Sequence, residues 1–279
     1  MQPAAPSRTA LMVARQRAAH QLLDRGSILQ DPLAVTILGE DEKDVLEFAN
    51  AHPSASIGRL FTAARSRIAE DALSKAVERG TRQVVVLGAG LDTFALRNHT
   101  GTQQIRVYEV DHPATQAWKR QRLVDAQIVP PPSLIFVPID FERDSLRDKL
   151  AAAGFHPDEP AFFTLLGVVP YLTEDAILRT LDYAASIQNS GIVFDYMGPA
   201  EEFSDDLRQL EKARDEQLKK MGERSVSRFE PKTMATLLGA HGLSVIHDIS
   251  FREIASRFGH AVQSLSPGHL GMHVVHAMR

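Results

Sequence analysis

Hydrophobic residues follow two different periods along the chain, and the period changes near residue 80. Before that point apolar positions recur at helical spacing, most regularly over 57–79, where Leu60, Ala64 and Ile68 share one helix face. From Gln83 onward, short runs of β-branched and apolar residues alternate with helical stretches. Such short apolar runs are typical of strands buried on both faces of a parallel sheet. The pattern therefore predicts an N-terminal helical lid over 1–80 and an α/β core over 81–279.

The core is predicted to be a doubly wound, mostly parallel seven-stranded sheet of the Rossmann-like type, because strands and helices alternate. Strands are expected at 83–87, 104–110, 134–139, 161–166, 191–196, 243–249 and 272–278. Helices are expected at 9–25, 33–38, 44–51, 57–79, 91–97, 114–127, 145–153, 174–188 and 230–241. The late seventh strand is compatible with a final antiparallel hairpin. The charged segment 199–222 is predicted to be a helical insertion.

Composition narrows the function classes. The chain has 279 residues, a formal net charge of −4 and no long basic run, so nucleic acid is a poor candidate partner. It contains no cysteine, which excludes disulfides, cysteine-based zinc sites and a thiolate nucleophile, and we assign no metal ligands. No apolar run approaches the roughly 20 residues of a membrane helix, and residues 1–17 lack the apolar core of a signal peptide. We expect a cytoplasmic protein, monomeric or homodimeric, with no membrane partner.

The first candidate site follows the first predicted strand. There the apolar run ends in Gly88-Ala89-Gly90, and a helix can begin soon after, capped by Asp92 or Thr93. A strand, a glycine turn and a helix start predict a nucleotide-type site. The dinucleotide fingerprint G-x-G-x-x-G would need a third glycine where Thr93 stands. Taken alone, the motif is equally compatible with a tight turn that binds nothing.

Acidic residues follow the next two strands. Asp111 comes about 20 residues after the glycine turn, where a carboxylate holds a ribose diol. Its alternative role is to cap the helix that begins at Pro113, and Glu109 lies deeper on the same side of the strand. After strand three, Asp140 offers an acceptor for an adenine amino group and Phe141 a wall for the ring. Asp140 by itself is also compatible with an unpartnered loop position.

Several motifs in order resemble one family. They are Leu-Gly-Ala-Gly-Leu-Asp-Thr at 87–93 with Arg97, Tyr-Glu-Val-Asp-His-Pro at 108–113 with Lys119, Asp31-Pro32, Arg-Ser-Arg at 65–67 with Asp71, Val-Pro-Ile-Asp-Phe at 137–141, and Gly-Val-Val-Pro-Tyr-Leu at 167–172. Together they resemble the leucine carboxyl methyltransferase-like family of class I S-adenosylmethionine-dependent O-methyltransferases, which includes actinobacterial and polyketide-pathway members. The resemblance implies a methyl transfer from S-adenosylmethionine to a small molecule, with S-adenosylhomocysteine as product.

The resemblance also implies cofactor-binding roles for individual residues. It places Gly88, Ala89 and Gly90 against the methionine part of the cofactor, and pairs Arg65, and with it Arg17, with the carboxylate of that part. The ribose and adenine roles of Asp111, Asp140 and Phe141 agree with the strand-end argument above.

Two further positions concern the fourth strand. Leu166 stands in the cofactor site where the family usually carries Glu, so a carboxylate for the cofactor ammonium group is missing there. Tyr171 is placed to orient the methyl acceptor. A carboxylate acceptor needs no base, whereas a hydroxyl benefits from one. The candidate bases, among which the sequence does not choose, are His20, His52, His112, His260 and His269.

Two other readings remain open. A nicotinamide-dependent oxidoreductase would share the glycine turn and the acid after strand two, but a Tyr-x-x-x-Lys pair or a comparable catalytic pair is not evident. A non-catalytic S-adenosylmethionine-binding protein is suggested by Leu166.

Overall fold

Seven strands form one sheet at the centre of the protein. They are β1 (Gln83–Leu87), β2 (Arg106–Asp111), β3 (Leu134–Pro138), β4 (Ala161–Leu165), β5 (Gly191–Met197), β6 (Ser244–Ser250) and β7 (Met272–Met278). Their order across the sheet is β3-β2-β1-β4-β5-β7-β6. Only β7 runs antiparallel to its neighbours, β5 and β6. The computed structural model describes residues 7–51, 55–97, 105–141, 143–199, 225–258 and 271–279, with the single positions 212 and 216.

Helices cover the sheet and the edge above β1. They are α1 (Arg8–Asp24), α2 (Ala34–Leu38), α3 (Glu42–Asn50), α4 (Ala55–Glu78), α5 (Phe94–Arg97), α6 (Pro113–Asp125), α7 (Leu146–Ala152), α8 (Glu174–Ser186), α9 (Pro231–Ala240) and α10 (Phe251–Arg257), with a 3₁₀ turn at Val169–Tyr171. Side-chain caps explain several starts: Ser7 accepts from the amide of Ala10, and Thr173 from that of Ala176. The predicted seven-stranded, mostly parallel fold is confirmed.

Both faces of the central strands β1, β4 and β5 are buried, as the apolar runs predicted. Val85 and Leu87 of β1 belong to a cluster packed with α7, α8 and α9, while Val84 and Val86 pack on the opposite side against α4 and α10. Val84 and Val85 have no exposed surface, so β1 lies at the centre of two hydrophobic layers. This burial fixes the carboxyl end of β1, and with it the glycine turn.

The first three helices form a third cluster above that end of the sheet. Ala14 and Ala18 of α1 pack with residues of α2 and α3, and the same cluster includes Leu91, next to the glycine turn, and Leu123 of α6. The N-terminal helices are thus fixed directly to the loop that begins the candidate site. The division into a lid over 1–80 and a core over 81–279 remains a prediction.

One helix was not predicted from the sequence, and one predicted segment lies mostly outside the described residues. Helix α10 was not predicted, although Ser250 and Glu253 form a capping box in which each side chain accepts from the other's amide. Apart from positions 199, 212 and 216, the predicted insertion at 199–222 lies outside the described residues. Within the described ranges, no helix is long and apolar enough to span a membrane.

Candidate functional site: a cavity at the carboxyl edge of the sheet

The turn after β1 needs both of its glycines. Gly88 and Gly90 have φ of +68° and +51°, a region that side chains disfavour. A Cβ on Gly88 would lie 2.3 Å from Cγ2 of Val168, and one on Gly90 would lie 3.2 Å from Cβ of Ala10. The glycines therefore let the loop after β4 and the start of α1 approach the turn closely. This packing leaves the turn as the floor of a cavity.

Asp111, at the end of β2, is joined to the same turn. Its Oδ2 accepts a hydrogen bond of 2.5 Å from the amide of Gly90, and its Oδ1 one of 2.6 Å from the amide of His112. Burial raises the pKa of Asp111, while these two amides oppose the shift. The carboxylate is an acceptor fixed beside the glycine turn. The predicted helix cap is made instead by His112, whose side chain accepts from Ala114.

Asp140 and Phe141 follow β3 and reach the same cavity. The amide of Asp140 donates to Oδ2 of Asp144 over 2.9 Å, and this bond closes a turn after the strand. The turn sets the backbone so that both residues lie on the cavity wall. Because β3 is the neighbour of β2 in the sheet, Asp140 and Phe141 lie one strand away from Asp111.

The wall beside β4 contains an arginine that is nearly buried. Arg65 of α4 donates from Nη1 to Oδ2 of Asp195 over 3.0 Å, and the two side chains are 7% and 6% exposed. The other oxygen of Asp195 accepts from the amide of Gly167 over 2.5 Å. Leu166, which precedes Gly167, also lines the cavity. The corner where the family usually has Glu thus contains a buried ion pair that the sequence reasoning did not find.

Arg17 is held by two carboxylates. Its Nη1 lies 2.6 Å from Oδ2 of Asp92 and its Nη2 2.8 Å from Oδ2 of Asp31. Burial works against the charged form, but these carboxylates outweigh it and raise the pKa of Arg17. Thr93, in the position of the third fingerprint glycine, donates to the same Asp31 oxygen over 2.7 Å. Arg17 therefore ties α1 to the glycine loop.

A second buried ion pair, Lys119 with Glu109, contacts the glycine loop through the carbonyl of Asp92. Lys119 of α6 donates to Oε2 of Glu109 and to the carbonyl of Asp92, both over 2.5 Å. Burial raises the pKa of Glu109, and Lys119 opposes the shift. For Asp92, burial again favours the neutral form, yet Arg17 and Lys119 outweigh it and lower the pKa to about 2. The network gives structural reasons for Asp31, Asp92 and Lys119, which the sequence offered only as parts of motifs.

These features enclose one cavity of about 560 Å³. Every residue that the sequence assigned to the site lines it: Arg17, Arg65, Gly88, Ala89, Gly90, Asp111, Asp140, Phe141, Leu166 and Tyr171. The first turns of α1 complete the wall with Ser7, Thr9 and Ala10. The volume falls within the range of small-molecule and cofactor sites. The structure thus brings these residues together around one cavity, while their binding roles remain predictions.

The candidate bases are distributed differently. His112 lines the cavity beside Asp111. His20 is buried in α1 and pairs through Nδ1 with Asp24 over 2.9 Å, apart from the cavity lining. The positions 52, 260 and 269 lie outside the described residues. Only His112 of the five therefore reaches the described wall.

Comparison with known proteins agrees with this architecture. Solved structures of a candidate methyltransferase from Thermobifida fusca and of a DUF574 family protein from Streptomyces avermitilis both align with a TM-score of 0.61. The first alignment covers 99% of this chain and 95% of that protein at 16% identity, and the second 98% of each at 13%. At these identities the likeness concerns the fold.

Sequence relatives identify the family. YktD of Bacillus subtilis, named as a candidate S-adenosyl-L-methionine-dependent methyltransferase, is 35% identical over an alignment of 215 positions that covers 68% of this chain and 70% of that protein. Rv1896c of Mycobacterium tuberculosis carries the same description and is 34% identical over an alignment of 175 positions that covers 60% of this chain and 56% of that protein. The model of the leucine carboxyl methyltransferase family matches residues 10–185. The predicted resemblance is confirmed: the chain belongs to the leucine carboxyl methyltransferase family.

Proposed function

We propose that this protein transfers the methyl group of S-adenosylmethionine to a carboxylate or hydroxyl oxygen of a small molecule. Methyl transfer and the cofactor, both predicted from the sequence, agree with the family match and with the names of the relatives. The observation that carries the proposal is the convergence of the strand ends, Arg65 and the start of α1 on one cavity. A polyketide-type acceptor is the most specific form of this proposal.

The cavity residues fit the parts of the cofactor. The glycine turn gives a flat backbone surface, and the fixed carboxylate of Asp111 can accept both hydroxyl hydrogens of a ribose. Asp140 supplies an acceptor and Phe141 an apolar face for an adenine ring. Arg65, like Arg17, keeps a buried Nε that has no hydrogen-bond partner among the described residues. A buried donor without a partner is costly, and a ligand carboxylate would satisfy it.

We assign the cofactor carboxylate to Arg65 rather than to Arg17. Arg17 is already placed between Asp31 and Asp92, so another anion there would meet two negative charges. Arg65 has one carboxylate partner, Asp195, among the described residues. The predicted contact of Arg17 with the cofactor remains to be tested, and its structural role is to hold α1 on the glycine loop.

S-adenosylmethionine, when bound, supplies a methyl group on a positively charged sulfur. The protein has to hold the acceptor oxygen in line with that methyl group and to keep water out. The α1 segment over Gly90 and the wall around Tyr171 serve these purposes. A carboxylate acceptor is already ionised at neutral pH and needs no base. This fits the described part of the cavity wall, to which His112 contributes the histidine. The family name also favours a carboxylate.

The N-terminal helices act as the lid of this site in our proposal. Ala10 lies against Gly90, and the amide of Ser7 donates to Oγ1 of Thr115 over 3.2 Å. Removal of residues 1–30 should therefore weaken binding of S-adenosylhomocysteine while the sheet remains folded, as seen by titration calorimetry and circular dichroism. Unchanged affinity would contradict the lid.

The nicotinamide alternative receives less support. The third glycine of its fingerprint would have to replace Thr93, which is buried and bonded to Asp31. Titration calorimetry with S-adenosylhomocysteine and NAD separates the two cofactors, and we expect binding of the first alone. Binding of NAD alone would contradict the proposal.

Methyl transfer is tested with tritiated S-adenosylmethionine and a library of small carboxylic acids, phenols and alcohols. Treatment of the labelled product with mild alkali then separates the acceptors, because methyl esters are hydrolysed and methyl ethers are not. We expect alkali-labile label, and stable label would assign a hydroxyl. Tight binding of S-adenosylhomocysteine with no transfer to any acceptor would support the non-catalytic reading.

A further inference from the structure

Of the buried pair of Arg65 and Asp195, Arg65 is the member that lines the cavity. Asp195 on β5 is buried and does not line it. One carboxylate oxygen of Asp195 accepts from Arg65 and the other from the amide of Gly167. Asp195 thus joins three elements that are distant in sequence: α4, β5 and the loop after β4.

The guanidinium of Arg65 is fixed on several sides. A Cβ on Gly167 would lie 2.6 Å from Nη2, so the arginine occupies space that only a glycine leaves open. The ring of Phe61 lies 5.7 Å from Cζ, within the range of a cation–π contact. Nε is buried and has no hydrogen-bond partner in the part of the chain that the structure describes. Because Asp195 takes Nη1, the orientation of the remaining donors depends on that carboxylate.

We propose that Asp195 is a positioning residue for the cofactor: it fixes the guanidinium of Arg65 so that its remaining donors bind the carboxylate of the methionine moiety. The inference rests on the proposed function and goes beyond it by naming the group that makes Arg65 effective. Leu166 brings no charge to this corner, so the negative charge beside Arg65 comes from β5. An arginine without that partner would be buried uncompensated and would turn toward another acceptor.

Asp195→Asn removes the charge and keeps the shape. The Asn Oδ1 can still accept from the amide of Gly167, which leaves its NH₂ group facing the guanidinium of Arg65. Two donors then oppose each other, so Arg65 is displaced. The readout is the ratio of two affinities measured by titration calorimetry, for S-adenosylhomocysteine and for 5′-methylthioadenosine. Both ligands carry the adenosine and the sulfur, but the second has no amino-acid part.

We expect Asp195→Asn to weaken the binding of S-adenosylhomocysteine by about tenfold to a hundredfold, which is the effect of losing one charged hydrogen bond. The affinity for methylthioadenosine should stay unchanged. In an Arg65→Ala background the same substitution should have no further effect on either ligand, since Asp195 acts through Arg65. Asp248→Asn is the matched control. Like Asp195, Asp248 lies on a strand and its carboxylate accepts a side-chain hydrogen bond, in this case from Tyr196 over 2.7 Å. Asp248 does not line the cavity.

The outcomes separate this inference from the proposed function. If the wild-type protein prefers S-adenosylhomocysteine and Asp195→Asn keeps that preference, the positioning role is overturned and the function stands. Equal losses for both ligands would also overturn it, because they would show general support of the fold. A wild-type protein that binds neither ligand would overturn both proposals.

Discussion

Replacement of Asp31 by Asn tests how the N-terminal helices are fixed to the core. Asp31 has no exposed surface, and its Oδ2 accepts from Arg17 and Thr93 over 2.8 and 2.7 Å. Its Oδ1 lies 3.3 Å from Nε of Arg97. Asn keeps the shape but removes the charge shared by Arg17, which is buried, and Arg97, which is partly buried. Breaking a buried ion pair by removal of one partner costs about 3–5 kcal/mol.

The lower part of that range applies, because each arginine keeps a second carboxylate: Asp92 for Arg17 and Glu70 for Arg97. We therefore expect a loss of about 3 kcal/mol in the free energy of unfolding, measured by urea denaturation at pH 7.5. Asp41→Asn is the control, since Asp41 is exposed and makes no capping bond to α3. It should change stability by less than about 1 kcal/mol. Equal, small losses in both variants would refute the argument.

Two other variants test the turn and the sheet. Gly88→Ala should abolish cofactor binding, because its Cβ would clash with Val168; Gly154→Ala, with a similar φ of +83° and open space around it, should keep binding. Calorimetry distinguishes them, and retained binding by Gly88→Ala would contradict the clash. Burial lowers the pKa of His276 from 6.5 to about 4, so its stability contribution is present above pH 6.5 and lost as pH falls toward 4. This loss amounts to at most about 3 kcal/mol. The free energy of unfolding of His276→Gln should fall less between pH 7.5 and pH 4.5 than that of the wild type, and equal falls would contradict the assignment.

Much of the fold and the positions of the site residues could be predicted because their causes are local. The buried strand Gln83–Leu87 has apolar residues on both faces, and the two glycines after it can adopt a turn that other residues disfavour. Asp111 and Asp140 follow strands of a parallel sheet, so topology alone brings them to one edge. The short helix Phe251–Arg257 was missed since its capping signal lies directly after a strand and its length is small.

What could not be predicted depends on contacts between distant segments. Asp195 sits in the middle of an apolar strand, and its partner Arg65 is 130 positions away. In sequence, Arg17 and Arg65 are equivalent: each is a helical arginine before the first strand. In the structure Arg17 is placed between two carboxylates and Arg65 beside one, while each keeps a buried Nε that has no hydrogen-bond partner among the described residues. Since the free energy of binding an anion depends on the charges already in contact with the cation, the two arginines differ in what they can bind.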